Sequence, residues 1–250
     1  MKTILELNDK ELDKYSRQIM LDEIGYEGQL KLKDSKVCIV ESGGLGNPIS
    51  SILVGMGLGS LKIIDRDIIE LSNLPRQTLF NENDVNKVKV EVITERLKKL
   101  NPDCKIEALA LSINKHNAHD LIKGSDIVID GLDNVIARYA LNKACVDYRI
   151  PFITGSAIGS RGQVFTILPN TACYSCLFPK LDNKELPTCS LTGVNPCVLS
   201  IVAGIQVSEA IKILLNKEPS LSKEILHIDL DNLEFNRTKT MKSKTCEVCF

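Results

Sequence analysis

Gly43, Gly44 and Gly46 stand directly behind the apolar run Cys38-Ile39-Val40, and Asp65 follows Gly46 by 19 positions. A strand that enters a glycine turn and opens a helix offers backbone N–H groups to phosphate. A carboxylate at that distance meets a ribose hydroxyl. Beyond Asp65, a polar loop carries Asn73 and Arg76, an amide and a guanidinium fork whose donors match phosphate oxygens. Lys89, early in the next expected helix, adds a cation. Asp133 lies just past the strand 127–130. A carboxylate beside a triphosphate needs a cation between them, so Asp133 reads as a Mg²⁺ ligand or, more plainly, as a helix cap. Each piece alone also occurs as ordinary structure: a strand–turn–helix, a capping Asp, surface cations. The turn also departs from G-x-G-x-x-G, because Glu41 occupies the first glycine's place. Its side chain is expected to turn away from phosphate or to pair with a nearby cation, leaving Gly43, Gly44 and Gly46 to bind the anion.

A second chemistry is written in Cys173-x-x-Cys176 and Cys246-x-x-Cys249, two knuckles separated by 69 residues. Four thiolates at such spacing suit tetrahedral Zn²⁺, and a site with four protein ligands has no open position, so the metal would be structural. Cys189, in a polar stretch, is a free thiol open to attack or persulfide chemistry. Cys38, Cys104, Cys145 and Cys197 sit in apolar surroundings and are expected in the core. The three histidines are scattered and suggest no triad or metal pattern.

The elements that must position these groups alternate. Helical spacing covers residues 9–22, and a short helix at 29–33 leads to a strand at 36–40. The helix behind the glycine turn has Pro48 in its first turn and Ile49, Ile52, Leu53 and Met56 on one face. Strands at 61–64, 106–111, 127–130 and 152–154 alternate with helices at 87–100, 117–122 and 135–148. A strand at 163–168 precedes a Cys-, Pro- and Asn-rich stretch at 169–196. A long helix at 198–215 and strands at 225–229 and 234–240 follow. The expected fold is α/β, a doubly wound, mostly parallel, Rossmann-like sheet with an antiparallel C-terminal extension and a four-cysteine zinc site. Residues 1–250 are expected to form a single domain. Its parts are N-terminal helices at 1–34, a nucleotide-binding half at 35–155 and a carrier- and zinc-binding half at 156–250.

Lys and Arg number 31 against 32 Asp and Glu, a net charge of −1, which gives no basic field for nucleic acid. No continuous apolar run reaches ~18 residues and no signal-peptide core opens the chain, so no membrane partner is expected and the cytoplasm is the expected compartment. Nine cysteines there point to metal or thiol chemistry rather than disulfides.

Together these motifs resemble the MoeB/ThiF/HesA family, bacterial relatives of ubiquitin-activating enzymes. The resemblance runs nearly end to end. It covers Tyr15-Ser16-Arg17-Gln18, the glycine turn, Asp65-x-Asp67, Ser72-Asn73-Leu74-x-Arg76-Gln77, Val88-Lys89, Asp133-Asn134, Thr188-Cys189 and both Cys pairs. It implies ATP-dependent adenylation of a carboxylate, usually the C-terminal Gly-Gly of a β-grasp sulfur-carrier protein in molybdopterin or thiamine biosynthesis. By position, Asp65 would bind ribose, Arg17, Asn73, Arg76 and Lys89 would hold phosphates, and Asp133 would hold Mg²⁺. The family's homodimers send the arginine matching Arg17 into the neighbouring site. Cys189 matches a crossover-loop cysteine implicated in covalent linkage or sulfur transfer, with sulfur expected from a separate donor. Glu41 departs from the family's glycine. Alternatives are adenylation of a small carboxylic acid, as in HcgE-like pyridinol activation, and a non-catalytic zinc-stabilised scaffold.

Overall fold

In the computed structural model, which describes residues 6–179 and 192–250, the apolar run ahead of the glycine turn forms β1 (Lys36–Val40). From Val37 onward every residue of β1 is buried, the pattern of a central parallel strand covered on both faces. It pairs in parallel with β2 (Ser60–Ile64) on one side and β4 (Ile127–Asp130) on the other. β3 (Lys105–Leu109) continues the parallel sheet beyond β2, and β5 (Phe152–Ile158) continues it beyond β4. Then β6 (Arg161–Ile167), β7 (Glu224–Asp229) and β8 (Glu234–Lys239) add on antiparallel. The spatial order is β3-β2-β1-β4-β5-β6-β7-β8, the expected doubly wound sheet with its antiparallel extension.

Helices cover both faces. On one side α3 (Gly25–Asp34), α4 (Gly46–Gly55), α5 (Lys89–Leu100) and α9 (Pro196–Leu214) bury Leu32, Leu53, Ile93 and Val202 against Val37 and Ile39. On the other, α6 (Ala118–Ile122), α7 (Val135–Tyr148) and the short α8 (Tyr174–Leu177) bury Leu121, Leu141 and Tyr174 against the cluster of Cys38 and Val40. Each such side chain contributes roughly 1.5–3 kcal/mol of apolar transfer. α9 is long and apolar enough to cross a membrane by length and composition alone, with a mean hydropathy of 1.7. Here it lies on the sheet, with Val198, Val202, Ala203 and Ala210 buried.

Three expectations are corrected. The helix read across 9–22 is broken into α1 (Asp9–Lys14) and α2 (Ser16–Ile19) at Tyr15, whose ring is buried and whose hydroxyl accepts a 3.1 Å hydrogen bond from Asn101 Nδ2. β5 runs to Ile158 rather than stopping at Thr154, because β6 offers a ladder from Phe152↔Ile167 to Ile158↔Arg161 through residues of weak intrinsic strand preference. Cys197 is exposed, because it sits in the first turn of α9, where its N–H donates to the capping Asn195 Oδ1 at 2.9 Å. Cys38, Cys104 and Cys145 are buried as expected, and burial pushes the Cys38 thiol up to about 12.

Candidate functional site

β1 sends the chain into α4 on one face, and β4 sends it into α7 on the other. A crevice therefore opens at their carboxyl ends, where open α/β sheets bind ligands. A cavity of about 760 Å³ fills it. Gly43, Gly44, Asp65, Asn73, Arg76, Lys89 and Asp133 all line this cavity, which brings together residues 90 positions apart in sequence.

Gly46 is the first residue of α4, immediately behind the cavity wall. A Cβ there would stand 1.9 Å from the Glu41 carbonyl oxygen, so only glycine lets the turn close. Asp65 is 3 % exposed, and both its oxygens are engaged. Oδ2 accepts from the Ser42 N–H at 2.9 Å and the Ser42 hydroxyl at 2.8 Å, and Oδ1 accepts from the Asp67 N–H at 2.8 Å. The carboxylate thus ties the glycine turn to the loop after β2 while facing the cavity. Asn73 Oδ1 accepts from the Glu70 N–H at 3.2 Å, and Arg76 Nη1 donates to the Ser72 carbonyl at 2.7 Å, which leaves the rest of the guanidinium fork unspent in the hydrogen bonds described. Lys89, at the start of α5, is buried with its ammonium 3.0 Å from Asp67 Oδ2. Asp133 is exposed on the loop between β4 and α7. The capping role at α7 belongs to its neighbour Asn134, whose side chain accepts from the Ala137 N–H at 3.1 Å. Arg17 is exposed on α2 and is not among the residues lining the cavity. Cys189 lies outside the described residues.

Glu41 does not behave as expected. It lines the cavity, its carboxyl accepts from the Asp133 backbone N–H, and no cation lies within ion-pair distance among the described residues. Burial, followed by the nearby Asp133 and Asp65 carboxylates, raises its pKa to about 8. Instead of pairing with a cation, the side chain sits where its protonated form is favoured. Its backbone has φ 70°, the left-handed region that glycine enters freely and other residues rarely do. That is the physical reason a glycine suits this position.

The four knuckle cysteines converge. Their sulfurs lie within 4.8 Å of one another, with Cys173–Cys176 at 3.9 Å, Cys173–Cys246 at 3.6 Å and Cys176–Cys249 at 3.3 Å. Tetrahedral Zn²⁺ with sulfur at ~2.3 Å requires sulfur–sulfur separations of ~3.8 Å, so this cluster could hold that metal. None of the four forms a disulfide. At Cys246 burial opposes ionisation, yet the Val248 and Cys249 backbone N–H groups donate to the sulfur and bring its pKa down to about 7. Such a turn favours a thiolate ligand.

Sequence reasoning singled out neither Arg138 nor Gly131 and gave Gln77 no role of its own, although all three line the cavity. Gln77 is buried, and its Oε1 has no hydrogen-bond partner among the described residues, an unsatisfied acceptor on a residue that lines the cavity. Its sequence signal is its place at the end of the Ser72-to-Gln77 motif, beside Arg76. Arg138 occupies the core-facing side of α7, where the helical pattern calls for an apolar residue, and that mismatch could have marked it.

The ThiF family profile matches residues 15–248. The chain is 37% identical to the SAMP-activating enzyme E1 of Haloferax volcanii over 98% of this chain and 91% of that protein. It is 38% identical to the sulfur carrier protein ThiS adenylyltransferase of Escherichia coli over 97% of each. The crystal structure of Escherichia coli MccB with ATP superposes with a TM-score of 0.85 at 30% identity, across 97% of this chain and 75% of that one.

Proposed function

Because the chain belongs to the ThiF family, we propose that it uses ATP to adenylate a carboxylate, the C-terminal Gly-Gly of a ubiquitin-like β-grasp sulfur-carrier protein in molybdopterin or thiamine biosynthesis. The observation that carries this reading is one continuous cavity. It runs from the glycine turn, Arg76 and Lys89 past Asp133 to Gln163, His227 and Asn236 on the antiparallel strands. A nucleotide fits the first end, and an extended acceptor tail fits the second.

In this reading the acceptor carboxylate oxygen bonds to the α-phosphorus as the bond from that phosphorus to the bridging oxygen breaks, and pyrophosphate leaves with the electron pair. Residues 35–155 hold the nucleotide and 156–250 receive the acceptor. The amides of Gly43, Gly44 and Gly46 meet phosphate at the positive end of α4, and Asp65 receives the ribose. Asn73, Arg76 and Lys89 hold the phosphates and stabilise charge on the departing pyrophosphate, with Arg17 arriving from the partner in a homodimer. Asp133 would hold Mg²⁺, which supplies charge neutralisation between the phosphates. No general base is required, since the nucleophile is already ionised; the residues act by positioning. Zn²⁺ on Cys173, Cys176, Cys246 and Cys249 would be structural, and reduced thiolates suit a cytoplasmic setting. Cys189 would serve the later sulfur transfer from a separate donor.

ATP–pyrophosphate exchange against a panel of sulfur-carrier proteins and small carboxylic acids tests the proposal. Exchange stimulated by a carrier supports it. The Glu41 carboxyl in the cavity favours a second reading, a small-molecule acceptor, and exchange with a small acid alone would select that one. Silence with every acceptor would reject both.

A further inference from the structure

Arg138 is buried, and the nucleotide-binding motifs do not account for it. It projects from the first turns of α7, close behind Asp133, and its guanidinium is shared among three elements. Nε donates to Asp130 Oδ2 at 2.8 Å, while Nη2 donates to the Leu132 carbonyl and, at 3.1 Å, to the Gly155 carbonyl. Leu132 immediately precedes Asp133, so this fork fixes the backbone that presents the carboxylate. Asp130 is itself buried and further held by the Thr154 hydroxyl at 3.0 Å, which makes the anchor rigid.

The fourth contact of the guanidinium is Tyr174. Its ring centroid lies 5.6 Å from Cζ, a cation–π contact. Tyr174 stands between Cys173 and Cys176, inside the knuckle. Its backbone N–H donates to Asn142 Oδ1 at 2.9 Å, and Asn142 Nδ2 donates to Ser175 Oγ at 3.3 Å. The knuckle therefore grips α7 at residues 138 and 142, two successive turns of one face.

We propose that Arg138 and Tyr174 are positioning residues through which the four-cysteine metal site sets the geometry of the Asp133 loop. This rests on the reading of Asp133 as the Mg²⁺ ligand. A guanidinium fork directs hydrogen bonds only while its plane is fixed, and here the Tyr174 side chain fixes it. The knuckle in turn fixes Tyr174, so loosening the metal turn frees the fork and with it the Leu132 carbonyl. The metal site then acts on the nucleotide cleft without touching substrate.

Hydrogen–deuterium exchange of residues 131–137, read beside a Mg²⁺ titration of pyrophosphate exchange, tests this in Arg138→Lys, Tyr174→Leu and chelator-stripped wild type. Both variants should retain one zinc per chain and wild-type protection in α9. Residues 131–137 should exchange ~tenfold faster, and half-maximal activity should require ~tenfold more Mg²⁺, the scale of losing an outer-shell partner. The KM for ATP should move less than ~threefold. Tyr174→Phe, which keeps the ring, should recover most of the protection. Unchanged exchange at 131–137 in the variants and the stripped protein would overturn the proposal, as would faster exchange spread equally through β4 and α9. An unmoved Mg²⁺ requirement in variants with a loosened loop would do the same. Hydrogen exchange needs no turnover, so an inactive wild type would count against the adenylation reading and leave this arm to decide the coupling.

Discussion

Glu41→Gln removes one ionisable group and leaves the backbone strain of that residue in place, so it isolates the cost of the buried carboxyl. Folding raises that carboxyl from 4.5 to about 8, chiefly by burial. Between those values the unfolded chain gives up the proton and the folded chain keeps it, so rising pH favours unfolding. The cost is absent below the unfolded value and complete above the folded one. Taking those two values, it comes to about 1 kcal/mol at pH 5, about 3 at pH 7 and about 5 at pH 9. These are ceilings, because the carboxyl borders a solvent-filled cavity. Urea unfolding of wild type and Glu41→Gln at those three pH values should give curves that diverge as pH rises, the variant gaining. Glu41→Gly should gain about 1 kcal/mol more at every pH, since glycine relieves the left-handed φ of 70°. A stability difference between wild type and Glu41→Gln that stays constant from pH 5 to 9 would refute the reasoning.

The same protonation predicts nucleotide binding. With its pKa raised to about 8, the Glu41 carboxyl is mainly protonated near pH 7, so calorimetry should find ATP–Mg²⁺ affinity in Glu41→Gly within a few-fold of wild type. At pH 9 the wild type should bind at least ~tenfold more weakly than that variant, because one charge pair at ~4 Å is worth ~4 kcal/mol at an effective dielectric of about 20. Asp133→Ala should abolish pyrophosphate exchange with the fold intact by circular dichroism. Arg76→Ala should cost roughly 2–4 kcal/mol in kcat/KM, the scale of one preorganised charge-stabilising group. Mixing inactive Arg17→Ala with inactive Asp133→Ala should restore activity if Arg17 completes the partner's site, and verified subunit exchange without recovery would deny it. Purified protein should contain one zinc per chain, and Cys249→Ser should lower both metal content and Tm, as metal-binding free energy is also folding free energy.

Much of this was legible in the sequence because it rests on local rules. The strand–glycine turn–helix, the distance to Asp65 and the two Cys knuckles are short-range patterns, and each landed where its pattern directs. What escaped is what the folded chain brings together from afar. Nothing near Tyr15 announces that Asn101 will hold its hydroxyl and break a helix. The extension of β5 through Gly155, Ser156 and Ala157 depends on a partner strand rather than on intrinsic preference. Glu41 shows the limit most clearly. Its departure from the glycine pattern was visible, but protonation as the solution follows only once Asp65 and Asp133 are seen around it.

The four-cysteine cluster also has a bearing on the order in which the chain can be made. β1 to β5 pair with one another within the first 158 residues, although β6 and α9 still have to complete β5 and cover one face of that sheet. The cluster joins Cys173 and Cys176 to Cys246 and Cys249, enclosing α9, β7 and β8 in the loop it closes. Synthesis runs from the N-terminus, and early segments fold as they emerge from the ribosome. The five parallel strands can thus be out of the ribosome while Cys173 and Cys176 still wait, two thiols without their partners. Only passage of Cys249 into the open completes the set of four thiols, so a metal held there would be gripped by all of its ligands only after the whole loop has been made.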